Sequence, residues 1–388
     1  MTHANGNRPA ITMASSATTS TLIPPALHTL PVQGGAIAAS QWSNAGTTQT
    51  VYIDANSHIQ QLSSKDGRTW QQTDLTQLTH SAVSNGKALT SYSWDKGDSQ
   101  QVAFIDTLGH VHVLWAGEDG HWQVLDITQQ AHAPLANGVI LVNYEAASDG
   151  SQHIVYIDQQ KHIQDLASID GITWQATDIT KLTHAALADG TTLSAFVWSK
   201  DESNHIVYVD TAKHLQELSS SPDGNWQADD LTQQYGAPLS NGHVVVAYEW
   251  RVTGSIIIDY IDNQKNIQEL SRSLATVWAV SNLTNLSNRP PASGQSLAGY
   301  DWEQGDLRVL IYVDENKHLQ ELSLPPYDRW QGTDLTLQAV TSLVSDSGLV
   351  GFGWSLQGTK EVVFVDVNQH VHELTGFSNG KWQSADWQ

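Results

Sequence analysis

A 52-residue period, four short strand-forming runs inside each period and turn signals between them predict an all-β chain, a seven-bladed β-propeller with four antiparallel strands per blade. The period is read from an aromatic-aliphatic-Asp signature. It begins at Tyr52-Ile53-Asp54 and its acid recurs at Asp106, Asp158, Asp210, Asp262, Asp314 and Asp366, always 52 residues on. Four residues after each Asp stands His58, His110, His162, His214, Asn266, His318 or His370. Sixteen after it stands Trp70, Trp122, Trp174, Trp226, Trp278, Trp330 or Trp382. A second column, twelve before the Asp, reads Trp42, Trp94, Ala146, Trp198, Trp250, Trp302 and Trp354. Together these columns absorb 13 of the 15 Trp and leave only Trp115 and Trp387 outside.

Within one unit the predicted strands are Leu193–Trp198, Ile206–Asp210, Leu215–Ser219 and Trp226–Asp230. Branched and aromatic residues fill them, and Ser-Lys-Asp-Glu, Thr-Ala-Lys and Ser-Pro-Asp-Gly punctuate them. Helix signals are absent. The units run 28–79, 80–131, 132–183, 184–235, 236–287, 288–339 and 340–388, so residues 28–388 form a single propeller. Residues 1–27, rich in Ser, Thr, Ala and Pro, are a low-complexity lead-in. Because each unit is contiguous, the ring closes by packing its first blade on its last, with a strand from Ser20–Ile23 as an optional aid. Exchange of an outer strand between the termini is the open alternative.

Composition narrows the function classes. Forty Asp and Glu against 18 Lys and Arg give a formal charge of -22, a field that repels nucleic acid and anionic membrane surfaces. With 40% hydrophobic and 15% charged residues the chain carries enough apolar material for a packed core. The absence of Cys excludes disulfides, thiol catalysis and Cys-ligated metal sites. No apolar run is long enough for membrane insertion, and Met1 to Ala26 lacks the pattern of a signal peptide. The expected location is cytoplasmic, or outside by a non-classical route.

The sixth unit carries a specific resemblance. Leu297-Ala298-Gly299-Tyr300-Asp301-Trp302, a short turn, Leu307-Arg308-Val309-Leu310-Ile311-Tyr312-Val313, then His318-Leu319-Gln320-Glu321-Leu322 and Trp330 resemble the fungal fucose-specific lectin family. In that family an inner strand ending in Trp precedes an Arg-Val-Tyr strand, a strand with an Ile/Leu-x-Glu core and a strand opening with Trp. The likeness spans all seven units, from about Gly35 to Trp382. It implies a propeller with sites between adjacent blades, where an Arg and a Glu hydrogen-bond fucose hydroxyls and an aromatic wall packs on the apolar side of the sugar. The family's Glu matches Glu217, Glu269, Glu321 and Glu373, with Asp165 as a shorter version and Gln61 and Val113 in its place in the first two units. Two departures stand out. The family has six blades, and its Arg, about four residues before the repeat's Asp, falls here on Thr50, Val102, Ile154, Ile206, Ile258, Leu310 and Val362. Arg308 lies two residues away, in one unit only.

Sugar recognition needs planar hydrogen-bonding groups for hydroxyl pairs and an aromatic face for the C–H side of the ring. The expected binding residues are therefore Asp165, Glu217, Glu269, Glu321 and Glu373 with the inner-strand Trp198, Trp250, Trp302 and Trp354. By strand alternation Glu217 shares a face with Leu215 and Ser219 and emerges between blades; the same carboxylate serves equally as a brace to a neighbouring blade. The Trp column from Trp70 to Trp382 is complete, as blade-to-blade packing requires. Geometry argues against a metal ring of the His column unless the imidazoles line the axis itself, since each His sits on a different blade and metal–nitrogen bonds are roughly 2 Å. Asp210 and His214 are instead expected to tie their hairpin.

No unit carries an inserted loop or a catalytic motif, so the chain is not expected to be an enzyme and needs no cofactor. The second unit alone breaks pattern, at His112, Val113, Trp115 and His121 near Glu118, and a site there is left open. The expected function is a multivalent carbohydrate-binding protein, a lectin for fucose or a related sugar, with glycans as partners. Two alternatives stay open on sequence alone: a protein-interaction scaffold that selects a basic partner, and an enzyme with its site at the central channel.

Overall fold

The computed structural model describes residues 32–42, 44–65, 69–355 and 357–386. The lead-in and the strand expected at Ser20–Ile23 lie outside these residues. The described residues form seven sheets, each of four consecutive antiparallel strands. The fourth unit is representative, with strands Ala188–Trp198, Ser203–Asp210, Leu215–Ser220 and Trp226–Asp230. The first strands of successive units pack side by side, and Val32–Trp42 of the first packs on Val344–Trp354 of the seventh, which closes a ring of seven blades.

Each second strand is covered on both faces by other blades. Ser203–Asp210 and Thr359–Asp366 are buried along their whole length, and their continuous Val, Ile and aromatic runs are what such a position selects. The outer strands are only four or five residues long and expose Gln, Asp and Thr, which keeps the blade edges from pairing with other chains. At the closing seam Ile37, Tyr52 and Leu62 of blade 1 pack with Val363 and Val365 of blade 7. Ser355 donates its N–H and hydroxyl to Gln41 Oε1 at 3.2 and 3.0 Å. No described strand is exchanged between blades 1 and 7.

The inner strands open with a bulge that serves the ring. In blades 2 and 3 Asn85 and Asn137 donate their amides to the carbonyls of Gly138 and Gly190 on the next blade, both at 2.8 Å. Gly190 lies at φ 105, where a side chain would be strained, so the glycine lets its carbonyl face the neighbour.

The expected absence of helix is overturned by six short α-helices among the described residues, including Ile179–Thr183 and Leu231–Tyr235, each following an outer strand. A single turn carries no apolar periodicity; its signal is the cap, Asp230 Oδ1 accepting from Gln233 N at 2.8 Å. The same acid corrects the expected Asp210–His214 side-chain pair. Asp210 Oδ1 accepts the backbone N–H groups of Ala212 and His214, while the His214 ring bonds Asp230 Oδ2 at 2.8 Å. The imidazole thus ties the hairpin to the helix cap rather than to the acid that opens the turn. In blade 5 both ends change, to Asn266 and the capping Asn282.

Although burial works the other way, His162 and Lys181 hold the Asp178 carboxyl down at about 2. The equivalent stabilisation is present above the ordinary Asp range and lost as pH falls toward 2. Asp178→Ala removes a cap as well as the His162 partner, so it is expected to cost about 1–2 kcal/mol at pH 7. A lower denaturant midpoint with unchanged transition slope is the measurement that checks it, and Asp178→Asn should lose less.

Candidate functional site

The acid column lies on the third strands, at the junction of each blade with the next. Between blades 5 and 6, Glu269 sits directly opposite Asp259 on the neighbouring strand. Arg308 of blade 6 enters between them, with its guanidinium on Glu269 and on Asp259 Oδ1, the latter at 3.3 Å. It also donates to Tyr248 Oη at 3.0 Å and lies over the Trp330 ring at 4.6 Å. Between blades 6 and 7, Lys360 pairs with Glu321 while its ammonium stands 4.8 Å from the Trp382 ring and 5.4 Å from Trp302. Trp382 Nε1 donates to the other oxygen of Glu321 at 2.9 Å. Cations therefore do reach the acid column, from six residues before the repeat's Asp and from the following blade, not from the position four before it.

In blades 3 and 4 the acid's partner is a histidine of its own blade, five residues before the Asp. His153 Nδ1 meets Asp165 at 3.0 Å and His205 Nδ1 meets Glu217 at 2.8 Å. The opposite ring nitrogens stand 2.9 and 2.7 Å from the hydroxyls of Ser151 and Ser203. The order serine, histidine, acid invites comparison with a hydrolytic triad, but each hydroxyl has a second partner: Ser151 donates to Asp149 and Ser203 to Asp201, so its proton is engaged by a carboxylate on the side away from the imidazole. Burial disfavours a charged ring at His153, yet Asp165 and Asp149 outweigh it and its pKa is raised. The rings stack on Tyr144 and Phe196 at centroid distances of 4.3 and 4.9 Å.

The remaining junctions differ again. Between blades 1 and 2 the contacts are amides, Gln61 Nε2 donating to Gln49 and Gln100 at 2.6 and 3.1 Å. Between blades 2 and 3, Val113 replaces the acid and Tyr92 donates to Gln152 at 2.8 Å. At the seam of blades 7 and 1 two buried acids, Glu361 and Glu373, occur together, and Thr48 holds the repeat position that carries Arg308 and Lys360 at two other junctions. Burial pushes Glu361 up to about 7, against hydrogen bonds from Thr359 and Thr375. Burial and the charge of Glu361 push Glu373 well above the usual range.

The inner-strand Trp side chains are all buried. Trp42, Trp94 and Trp198 donate to the first hairpin of the next blade, at Asp98 Oδ1, Gly150 O and Gly254 O. Trp250, Trp302 and Trp354 instead carry indole N–H groups with no acceptor, as does the Tyr300 hydroxyl beside Glu321. The expected residues thus come together as separate sets, Glu321 and Trp302 around Lys360 and Glu217 and Trp198 around His205, and not as one shared cleft. Sequence reasoning missed His153, His205, Asp259, Lys360 and Glu361. Their signal was available, a charged or imidazole side chain inside a strand otherwise made of Val and Ile.

Among the described residues three groups bring potential metal ligands within 4.8 Å: Asp158 with His162 and Asp178, Asp210 with His214 and Asp230, and Asp366 with His370 and His372. In the first two these atoms are already engaged in the hairpin-to-cap bonds. No helix among the described residues is long and apolar enough to cross a membrane.

No protein-family model matches the sequence, and no curated protein matches it. Among solved structures the chain is similar to the BP39L lectin from Burkholderia pseudomallei, with a TM-score of 0.73 at 15% identity over 92% of this chain and 100% of that one. It is similar to the fucose-specific lectin from Aleuria aurantia, with a TM-score of 0.53 at 14% identity over 79% of this chain and 96% of that one. The SapL1 lectin, solved with α-methyl fucoside, gives 0.51 at 15% identity over 77% and 95%. The Aleuria protein is a six-bladed propeller, and 79% of the present chain is close to the length of six of its seven units. At these identities the likeness is one of fold: the chain is a seven-bladed β-propeller similar in architecture to these lectins.

Proposed function

We propose that this protein is a multivalent lectin that binds fucose or a related sugar at the junctions between its blades. The carrying observation is the junction of blades 6 and 7. There a carboxylate, an ammonium and an indole N–H converge at Glu321, Lys360 and Trp382, beside the unpartnered Trp302 N–H and Tyr300 hydroxyl. Such a set offers both acceptors and donors to a pair of sugar hydroxyls, with aromatic rings for the C–H face. The junctions bearing Asp165, Glu217, Glu269 and Glu373, with Trp198, Trp250 and Trp354, are variants of the same plan. Sugar sites of this kind are individually weak, and a rigid ring of several gains by effective concentration on a glycan-rich surface.

A glycan array followed by calorimetry with methyl fucoside tests the proposal. Binding of fucosylated glycans is expected, and Glu321→Gln should reduce the number of occupied sites or weaken one class by about tenfold or more, the value of a lost charge-assisted hydrogen bond. Absence of binding to any glycan overturns it, and capture of basic proteins that salt releases and sugars do not would favour a scaffold instead.

A further inference from the structure

The second unit departs twice from the repeat on one strand face. Val113 takes the acid position, and two residues on, Trp115 stands where the other units have Ser63, Ala167, Ser219, Ser271, Ser323 and Thr375. Residues two apart on a strand point to the same side, so the unit loses a carboxylate and gains an indole toward one junction. Trp115 is only partly buried, unlike the inner-strand Trp column. Beside it a cavity of about 520 Å³ opens among the first and last hairpins of blade 2 and the last hairpin of blade 3. That volume falls in the range of roughly 300–1,000 Å³ typical of small-molecule clefts.

The cavity's construction is specific. Trp94 forms part of its wall, held close by Gly97 and Gly171; a Cβ at either would lie 2.1 or 2.6 Å from the Trp94 ring. Ile169 and Ile172, 50% and 65% exposed, supply an apolar rim. Gln101, buried and already donating to Ser99 Oγ at 2.8 Å, lies in the wall, Gln123 supplies an exposed amide, and Glu118 and Asp119 stand exposed at the mouth. The one cation, Lys96, is already bonded to Asp149 O at 2.7 Å. Unlike the junctions with Arg308 and Lys360, this one carries no buried ion pair among its described residues.

We infer that the cleft between blades 2 and 3 is a second, chemically distinct sugar site that takes a neutral gluco- or galacto-configured disaccharide by stacking on Trp115. The indole offers a flat face to the axial C–H groups of such a pyranose. Gln123, Glu118 and Asp119 offer hydrogen bonds to its equatorial hydroxyls. The acidic mouth repels uronic and sialic acids, and the missing carboxylate at 113 separates this site from the acid-bearing junctions. The inference shares with the proposed function only the ligand class, glycans.

Titration with lactose and cellobiose, read by calorimetry and saturation-transfer NMR, tests it on the full chain. Binding is expected; Trp115→Ala should weaken it by about tenfold or more, and Trp115→Phe should retain it within a few-fold. Gln123→Ala, at an exposed position, should weaken it with an unchanged thermal midpoint, which guards against misfolding of the Trp variant. Glu321→Gln should leave it unaltered. Binding that survives both Trp115→Ala and Gln123→Ala, or no binding of either disaccharide to a chain that binds fucose, overturns the inference and leaves the acid-bearing junctions standing. Disaccharide binding without fucose binding does the reverse.

Discussion

Arg308→Ala is expected to destabilise the protein by about 3–5 kcal/mol, the usual cost of removing one partner from a buried ion pair. Arg308 is buried and holds Glu269, Asp259 and Tyr248 while stacking on Trp330. Burial, reinforced by Glu269 and opposed by Arg308, already pushes the Asp259 carboxyl up to about 7. Without the guanidinium it must rise further. An acid whose folded pKa is raised binds more protons folded than unfolded, so stability falls as pH climbs from the unfolded value to the folded one. The deficit of Arg308→Ala should therefore be larger at pH 8 than at pH 5. Asp259 stands where blades 1, 3, 4 and 7 have Val51, Val155, Val207 and Val363, so Asp259→Val removes the excess acid with an isosteric fit. In the Arg308→Ala background it should restore part of the loss, at pH 8 above all. Urea denaturation of the single and double variants at both pH values measures the coupling, and equal deficits at the two pH values would rule out the electrostatic account.

The period made the strands legible because a propeller repeats one packing environment, and every buried column is forced to the same chemistry. Tyr156, Tyr208, Tyr260 and Tyr312 are such a column, each donating to a backbone carbonyl twenty-two residues earlier. What the period hides is pairing across blades. Lys360 meets Glu321 only because the second strand of one blade lies against the third strand of the blade before it, a relation that needs the ring. The one-turn helices escaped for a different reason: their stability rests on Asp74, Asp178 or Asp334 as caps, not on an apolar face. Differences among units, not the shared pattern, carried the functional information. His153 and Arg308 interrupt apolar strands, and a buried charge is costly without a partner, so each position held a sign of a junction contact, although the sequence reading did not use His153.

Glu361→Gln, finally, is expected to stabilise the protein at alkaline pH. Glu361 and Glu373 lie buried at the closing seam, and among the described residues no Lys, Arg or His pairs with either. With Glu361 raised to about 7 and Glu373 also raised well above its usual range, the folded state holds protons that the unfolded chain releases near pH 4.5. Stability of the parent should thus fall between about pH 4.5 and pH 7. An amide at 361 carries no charge to desolvate, and its N–H group can donate to Glu373 much as Gln61 donates to Gln49 in blade 1. It forfeits one of the two bonds from Thr359 and Thr375, at 2.6 and 2.8 Å, which limits the gain. The balance is a stabilisation of about 1–2 kcal/mol at pH 8 that vanishes or reverses at pH 4.5. Thr48→Lys should act with the same sign by another route, since it sets an ammonium where Lys360 stands one junction earlier. Thermal midpoints across this pH range decide the matter: parallel curves for parent and Glu361→Gln would mean that the two acids at the seam are not what makes ring closure sensitive to pH.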